Sequence, residues 1–274
     1  MVVFPHAKIN LGLRITNQRP NGFHDIETVF YPLPWRDALE AVPAKEHRFD
    51  QYGLDLACQP SDNLCEQAIQ LLAADFDLSP HAYCLYKAIP ACAGLGGGSS
   101  NAAFTLKLIN QLHNLKLTTH QLEAYAAQLG SDCPFFIQGR PVLGTGRGEV
   151  MQPIHLDLSG FTISVVFPGI EIDTGWAYSQ IIPEERQTSL AEVVKQPVAK
   201  WQETVANDFE QPIMEAHPAI QSIQDKLLAK GAILAMMSGS GSAVFGLFDD
   251  DAPKCQNLAR EIGIDEKFVW VGKL

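Results

Sequence analysis

The feature that most constrains this chain is a glycine-rich stretch that runs directly into a helical pattern. Residues 89–104 read IPACAGLGGGSSNAAF, and four of the five residues from Gly94 to Gly98 are glycine. A helix N-terminus leaves backbone N–H groups unpaired and carries a partial positive charge, and glycines let the main chain wrap closely around a tetrahedral anion. Ser99 and Ser100 add hydroxyl donors. The stretch therefore predicts a phosphate cradle between a strand and a helix.

Simpler interpretations of this stretch are a flexible linker or a tight turn. A linker does not normally continue into an amphipathic helix, here marked by Ala102, Leu106 and Ile109, and a turn needs one or two glycines rather than four. The common phosphate loops do not fit either. Ser99 stands where a P-loop has lysine, and Ser99 or Asn101 stands where a dinucleotide fingerprint has its last glycine. The segment GTGRGEV lacks one spacer residue of the protein-kinase loop.

Composition and charge set the class of protein and of ligand. The chain has 274 residues, of which 46% are hydrophobic and 19% charged, as expected for a globular protein with one large or two modest domains. Its formal net charge of -11 argues against affinity for nucleic acid or an anionic membrane. An anionic ligand would have to be captured by local donors. The expected partners are small molecules.

The cysteines and the chain's apolar segments indicate a reducing compartment. The cysteines show no C-x-x-C spacing, so they are expected to be buried small apolar residues rather than metal ligands. They are Cys58, Cys65, Cys84, Cys92, Cys133 and Cys255. The N-terminus MVVFPHAKIN does not resemble a secretory signal, and the longest clean apolar run, AILAMM, is too short to cross a membrane. The expected localisation is cytoplasmic.

Strand and helix patterns alternate without a regular βα rhythm, which favours an α+β fold. Strand patterns are VVFPHAKINLGLRI, TVFYPL, HAYCLYK, FTISVVFP, AILAMM, AVFGLF and FVWVG. One helix is expected after a cap at Ser61 or Asp62, and another after Thr118, which forms a capping box with Gln121. Residues 140–153 are rich in glycine and proline and are interpreted as a connection between two halves.

Several polar residues have both a simple and a functional interpretation. Lys8 and Asn10 share one face of the strand AKINLGL, although a lone strand lysine is usually a solvated edge residue. Asp132 follows a helix end and precedes Pro134, which by itself favours a helix N-cap. The turn SGSG at residues 238–241, taken alone, favours a hairpin over a ligand loop.

Three separated stretches together resemble the motifs of the GHMP kinases, the galacto-, homoserine, mevalonate and phosphomevalonate kinases. They are AKINLGLRITNQRPNGFHDIETVF, IPACAGLGGGSSNAAF and MSGSGSAVFGLF, in family order and spacing. The resemblance spans nearly the whole chain, except residues 182–206, which carry nothing diagnostic. It implies a two-domain α+β fold with the active site in the cleft between domains. Residues 1–151 would form an ATP-binding α/β-sandwich-like domain and residues 152–274 a ferredoxin-like α+β domain.

The resemblance also implies roles for individual residues. Lys8 and Asp132 match the family's catalytic pair, and Asn63 and Lys87 match positions near the adenine. The residues expected to contact ATP are Asn63, Lys87, Pro90, Ala91, Cys92, Ala93, Gly94, Leu95, Gly96, Gly97, Gly98, Ser99, Ser100 and Asn101. Those expected to contact the second substrate are Asn10, Phe23, His24, Thr174, Tyr178, Ser238 and Gly239.

The first motif resembles the branch of the family that acts in the non-mevalonate isoprenoid route. This implies transfer of phosphate from ATP to the 2-hydroxyl of 4-diphosphocytidyl-2-C-methyl-D-erythritol. Mg²⁺ is expected to arrive with ATP, since no acidic cluster marks a protein-only metal site. The expected state is a monomer or weak homodimer.

Three alternatives and two departures accompany this assignment. A GHMP kinase for another small alcohol is disfavoured by the stretch NGFH, and a nucleotide-binding regulator without activity is disfavoured by the retention of Lys8 and Asp132. A flavin or nicotinamide oxidoreductase would need a dinucleotide fingerprint. Residues 91–93 are Ala-Cys-Ala where glycines are common in the family, which is expected to restrict the backbone there. Phe23 replaces a usual tyrosine and lacks its hydroxyl.

Overall fold

A computed structural model describes residues 1–54, 63–249 and 257–274 of this chain. Its strands are β1 (Val2–Val3), β2 (His6–Gln18), β3 (His24–Arg36), β4 (Ala38–Pro43), β5 (Arg48–Gly53), β6 (His81–Lys87), β7 (Val142–Thr145), β8 (Val150–Pro153), β9 (Phe161–Val166), β10 (Leu234–Met237), β11 (Val244–Asp249) and β12 (Val269–Lys273). Its helices are α1 (Leu64–Ala73), α2 (Gly97–Leu112), α3 (Thr119–Leu129), α4 (Cys133–Gln138), α5 (Thr174–Ser179), α6 (Leu190–Val193), α7 (Trp201–Thr204), α8 (Glu210–Ala216), α9 (Pro218–Ala229) and α10 (Leu258–Ile262). Short 3₁₀ turns occur at Val198–Lys200 and Glu266–Phe268. This order confirms the α+β prediction.

The chain forms two compact units, each assembled from separate segments. The first unit contains Met1–Ala7, Trp35–Ala91 and Gly96–Arg140. The second contains Lys8–Pro34, Cys92–Leu95 and Pro141–Leu274. These units are not the continuous segments 1–151 and 152–274 expected from the sequence, and that division stays a prediction.

The first unit contains a four-stranded sheet in the order β1-β4-β6-β5. Strand β4 is antiparallel to β6, whereas β5 is parallel to it. Helix α2 contacts β1 and β4 and also packs against α1, α3 and α4. Because side chains alternate along a strand, the pattern HAYCLYK buries Tyr83, Leu85 and Lys87 on one face of β6. A lysine therefore ends this strand inside the core.

Two helix starts in the first unit can be compared with their sequence predictions. Helix α1 begins after Asn63, whose Oδ1 accepts a hydrogen bond from the Cys65 N–H at 2.9 Å. The prediction of a cap at residue 61 or 62 is thus wrong, because the next polar residue caps the helix; residues 61 and 62 themselves lie outside the described ranges. The capping box of Thr118 and Gln121 at α3 is confirmed.

The second unit contains two four-stranded sheets, in the orders β2-β3-β7-β8 and β10-β11-β9-β12. The prediction that residues 140–153 form a connection is wrong, because β7 and β8 pair there as an antiparallel hairpin. Gly146 and Gly148 have φ of 67° and 105°, so its glycines serve the turn between two strands. The hairpin predicted around SGSG is confirmed, with Met237 of β10 opposite Val244 of β11.

The core of the second unit lies where α9 packs on β10 and β11. Pro218 starts this helix, and Ile220, Ile223 and Leu227 recur at helical spacing and are buried. Across the described ranges, no helix is both long and apolar enough to cross a lipid bilayer.

The cysteines follow the sequence prediction only in part. Cys65 and Cys133 are buried, as predicted, but Cys84 is half-buried and Cys92 is exposed, because Cys92 lies in the glycine-rich loop rather than in an element. The remaining two, residues 58 and 255, lie outside the described ranges. Within the described part of the chain, no group of three or more His, Cys, Asp or Glu side chains is arranged to hold a metal ion.

Candidate active site

The glycine-rich loop leads from β6 into α2 with a left-handed backbone at several positions. The N-cap of α2 is Gly96, with φ of 67°, and no side chain caps the helix. Gly94 has φ of 76°, and Cys92 has φ of 50° although it is not glycine. The expectation that Ala-Cys-Ala restricts the backbone is therefore wrong at Cys92, which adopts a glycine-like conformation. The N–H groups of the first turn have no side-chain cap, as a phosphate cradle requires.

Two serines in the first turn of α2 have different surroundings. Ser100 is fully buried, and its Oγ has no hydrogen-bond partner in the described structure. Leaving a buried hydroxyl unpaired costs about 1–3 kcal/mol, so a ligand oxygen at this turn would stabilise it. Ser99 forms a hydrogen bond with the thiol of Cys133, and burial raises the pKa of that thiol to about 12. No thiolate therefore competes with an anion here, and the residues of this turn fit a phosphate group.

A buried polar network lies at the base of this loop, within the first unit. Lys87 Nζ donates to Asp37 Oδ2 and to Asn101 Oδ1, the latter at 2.9 Å. Both side chains of the Lys87–Asp37 ion pair are 0% exposed. The predicted contact between Lys87 and adenine stays a prediction, and it would require the ammonium to leave this network. Sequence reasoning missed Asp37, because nothing near it in the chain indicates a partner 50 residues away.

Lys8 lies on β2 and is 4% exposed, so the interpretation as a solvated edge lysine is wrong. Its Nζ donates to Asn10 Oδ1 at 2.5 Å and lies 5.2 Å from the centroid of the Phe30 ring. This contact confirms that Lys8 and Asn10 share a face. Asn10 Nδ2 donates to Thr28 Oγ1 at 2.8 Å, so the Asn10 side chain is held by its neighbours and orients Lys8.

Ser238 connects β2 to the part of the glycine-rich loop that belongs to the second unit, Cys92–Leu95. Its Oγ donates to the Gly94 carbonyl at 2.8 Å and accepts from the Asn10 N–H at 3.1 Å. The Lys8 N–H donates to the Leu95 carbonyl at 3.0 Å. A Cβ on Gly94 would lie 2.0 Å from the Ser238 carbonyl oxygen, so only glycine permits this approach.

Two further side chains support the glycine turn that contains Ser238 and Gly239. Asn207 Nδ2 donates to the carbonyls of Met237 and Gly239 at 2.9 and 2.8 Å. Glu210 Oε1 accepts from the Met237 N–H at 2.7 Å, and burial raises the pKa of Glu210 to about 7. No local pattern marks either residue in the chain, because both act through contacts with a turn about 30 residues away.

Asp132, in the first unit, occupies the N-cap position of α4 without capping it. Its φ and ψ are −83° and −17°, and no hydrogen bond from its side chain caps the helix. The interpretation of Asp132 as a side-chain N-cap is therefore wrong. The Asp132 side chain is half-buried at this position.

The residues predicted to contact the second substrate include an aromatic group in the second unit. His24 stacks on Tyr178 with ring centroids 4.8 Å apart and planes at 22°. Phe23 is 53% exposed, and Arg147 Cζ lies 4.9 Å from its ring centroid. Arg147 was missed because its segment was interpreted as a connection between two halves and was otherwise compared only with the protein-kinase glycine loop. Thr174 begins α5 and is exposed.

Comparisons with known proteins agree with these features. The family model described as GHMP kinases N terminal domain matches residues 63–140, and the model described as GHMP kinases C terminal matches residues 190–262. The chain is 43% identical over 274 residues to a 4-diphosphocytidyl-2-C-methyl-D-erythritol kinase of Parabacteroides distasonis, covering 100% of both chains. It is 47% identical over 255 residues to the kinase of the same name from Bacteroides thetaiotaomicron, covering 92% of this chain and 93% of the relative.

Solved structures show the same fold. A crystal structure of a 4-(cytidine 5'-diphospho)-2C-methyl-D-erythritol kinase superposes with a TM-score of 0.80 at 30% identity, covering 99% of this chain and 98% of that one. Phosphomevalonate kinase of Streptococcus pneumoniae shares the fold at a TM-score of 0.68 and 16% identity, covering 100% of both chains. The predicted GHMP kinase fold is confirmed, and the chain belongs to the 4-diphosphocytidyl-2-C-methyl-D-erythritol kinases of the GHMP kinase family.

Proposed function

We propose that this chain transfers the γ-phosphoryl group of ATP to the 2-hydroxyl of 4-diphosphocytidyl-2-C-methyl-D-erythritol, which gives ADP and the 2-phosphate. The observation that carries the proposal is the start of α2. A left-handed glycine precedes this helix, no side chain caps it, and the buried Ser100 hydroxyl in its first turn has no partner in the described structure. The full-length similarity to kinases of this name supports the choice of acceptor.

The triphosphate would bind along residues 90–101, with the N–H groups of the first turn of α2 donating to phosphate oxygens. Asn63 and Lys87 remain the predicted neighbours of the adenine. Mg²⁺ bound with ATP supplies charge neutralisation at the phosphates. With a net charge of -11 on the chain, these local donors and Lys8 are what would attract the anion.

The chemical step assigns one role to each member of the catalytic pair. Asp132 orients the acceptor hydroxyl and takes its proton as the new P–O bond forms, while the bond from the γ-phosphorus to the bridging oxygen breaks. Lys8, oriented by Asn10, offsets the charge on the transferred phosphoryl oxygens. The acceptor is a tertiary alcohol and sterically a poor nucleophile, so its positioning supplies much of the rate.

The cytidine would be recognised by Phe23 and His24, with Thr174 and Tyr178 at a second side. Since His24 and Tyr178 have their centroids 4.8 Å apart, they already stack on each other and leave no space for a base between them. The base is therefore assigned to the exposed ring of Phe23, which the Arg147 guanidinium supports. Ser238 is fully buried with its hydroxyl engaged, so the turn would contact substrate through its backbone.

The experiment that tests this function is an assay of ATP consumption with the diphosphocytidyl substrate beside mevalonate, homoserine and galactose. We expect turnover with the diphosphocytidyl substrate alone. Comparable turnover with mevalonate or homoserine would instead assign the chain to another branch of the family.

The role of Asp132 is tested by Asp132→Asn. The amide keeps the size of the side chain but cannot accept the proton, so we expect turnover to fall by about 10³-fold. The Kd for a non-hydrolysable ATP analogue, measured by calorimetry, is expected to change by less than about twofold. This is well below the tenfold change in Kd that a loss of 1.4 kcal/mol of binding free energy would cause. Unchanged turnover would refute Asp132 as the base.

A further inference from the structure

We infer that Asp37 is a positioning residue for the nucleotide: through Lys87 and Asn101 it holds the two ends of the glycine-rich loop at the separation that the ATP phosphates require. The inference rests on the proposed function, because it concerns the ATP site of that reaction. It adds a residue that lies 50 positions away in the chain from Lys87.

The Asp37 carboxylate contacts the entrance of the loop through backbone groups. Asp37 lies between β3 and β4 and is 1% exposed. Its Oδ1 accepts from the N–H groups of Ala88 and Ile89 at 2.7 and 2.9 Å. These two residues directly follow β6, so the carboxylate fixes the main chain where the loop begins.

The other carboxylate oxygen reaches the helix at the far end of the loop. Asp37 Oδ2 accepts from Asn101 Nδ2 at 2.8 Å and from Lys87 Nζ. Asn101 is the fifth residue of α2 and is 2% exposed. A Cβ on Gly97, the first residue of that helix, would lie 3.2 Å from Lys87 Nζ, which shows how closely the ammonium approaches the first turn.

One carboxylate therefore connects both ends of the segment from residue 90 to residue 96. The segment contains two glycines, Gly94 and Gly96, and a left-handed cysteine, and such a sequence does not fix its own conformation. The Asp37 N–H donates to the Pro5 carbonyl at 2.8 Å, which fixes the carboxylate's own backbone. The network of Asp37, Lys87 and Asn101 thus sets the separation of the loop's ends.

The ion pair is a poor explanation for stability by itself. Two charges removed from water are costly, and a buried pair can often be replaced by apolar residues of similar volume without loss of stability. An apolar pair could not, however, accept hydrogen bonds from two loop N–H groups and from Asn101. This distinction separates a positioning role from a merely structural one.

The test compares Asp37→Asn with the double variant Asp37→Leu/Lys87→Met in the full chain. The single variant leaves a buried ammonium without its carboxylate, so both the unfolding midpoint and the affinity for ATP are expected to fall. The double variant removes both charges, so its unfolding midpoint is expected to lie above that of the single variant, although the N–H groups of Ala88 and Ile89 lose their acceptor. Because Lys87 is itself a predicted neighbour of the adenine, Lys87→Met alone is the reference: relative to it, the Kd of the double variant for a non-hydrolysable ATP analogue and its KM for ATP are expected to be raised by about tenfold to hundredfold. KM for the diphosphocytidyl substrate is expected to change by less than about twofold.

Two further variants complete the design. Glu192→Gln breaks an exposed ion pair with Lys195 and should change neither stability nor ATP binding. Asn101→Leu keeps the Asp37–Lys87 pair and severs its link to α2, so it should raise the Kd for the analogue if the double variant does not fold.

The outcomes separate this inference from the proposed function. Wild-type turnover tests the function, whereas the ratio of the double variant's Kd for the analogue to that of Lys87→Met tests the inference. A folded double variant with the same affinity for the analogue as Lys87→Met, or Asn101→Leu with unchanged affinity, would overturn the positioning role. An equal rise of KM for both substrates would overturn it as well.

Discussion

Two glycine-rich turns in this chain are supported by buried carboxylates of different kinds. In the first unit, Asp37 accepts from two N–H groups of the glycine-rich loop and forms a fully buried ion pair with Lys87. In the second unit, Glu210 accepts from the Met237 N–H and from Gln224, and it forms no ion pair among the described residues. Burial without a cation raises the pKa of Glu210 to about 7.

The difference shows two ways to bury a carboxyl side chain that accepts hydrogen bonds from backbone N–H groups. A buried ammonium offsets the desolvation of Asp37, whereas Glu210 can take up a proton and still accept a hydrogen bond through its carbonyl oxygen. The support of the turn at residues 238–241 should therefore depend on pH in the neutral range. The following predictions test this comparison, beginning with Gly94, a residue of the glycine-rich loop that lies against Ser238.

Gly94→Ala should have the largest effect. The new Cβ would lie 2.0 Å from the Ser238 carbonyl oxygen, at a residue with φ of +76°. The left-handed conformation and the overpacking together should lower the free energy of unfolding by about 3 kcal/mol, measured by urea denaturation. Gly98→Ala is the matched control, because the nearest atom there is Leu64 Cδ1 at 3.8 Å in an ordinary helix. Equal losses in the two variants would show that the close approach at Gly94 is unimportant.

Glu210→Gln should have an intermediate, pH-dependent effect. Folding raises the pKa of Glu210 from 4.5 to about 7. The contribution of protonated Glu210 to the stability of the wild type is therefore fully present below pH 4.5 and is lost as pH rises through 7. Glutamine keeps an acceptor and has no proton to lose. At pH 8 the variant should be more stable by about 2 kcal/mol, and the difference should shrink towards pH 4.5. Glu215→Gln, an exposed control on α8, should show no such trend, and a pH-independent difference for residue 210 would contradict the account.

Cys92→Gly should have the smallest effect. Cys92 has φ of 50°, where glycine avoids the steric cost of a Cβ. Once the entropic cost of glycine is subtracted, the free energy of unfolding is expected to rise by up to about 1 kcal/mol. Thermal denaturation measures this change. Ala91→Gly, at a neighbouring residue without positive φ, should instead be destabilising. A loss in both variants would mean that the conformation at Cys92 carries no strain.

The features that the sequence predicted are those encoded by local patterns. Alternation placed Lys8 and Asn10 on one face of a strand and marked β6, while the spacing of Thr118 and Gln121 specified a capping box. The glycine-rich loop was recognisable because left-handed residues and an uncapped helix start need particular residue types. Such requirements act over a few residues and are visible in the printed chain.

The features that were missed depend on pairing between distant residues. Asp37 meets Lys87, and Glu210 meets Met237, only after the sheets have formed, and no periodicity marks either pair. At residues 140–153, glycines and prolines obscured the pattern of a hairpin. At α1 three adjacent polar residues could each serve as the cap, so the pattern could not select Asn63. Tertiary context decided these cases.

The most direct measurement is a crystal structure of the wild type with a non-hydrolysable ATP analogue and 4-diphosphocytidyl-2-C-methyl-D-erythritol. The account predicts phosphate oxygens within hydrogen-bond distance of the first-turn N–H groups of α2 and of Ser100 Oγ, with the acceptor 2-hydroxyl on the Asp132 carboxylate. A triphosphate bound away from that turn, or a 2-hydroxyl beyond the reach of Asp132, would contradict it.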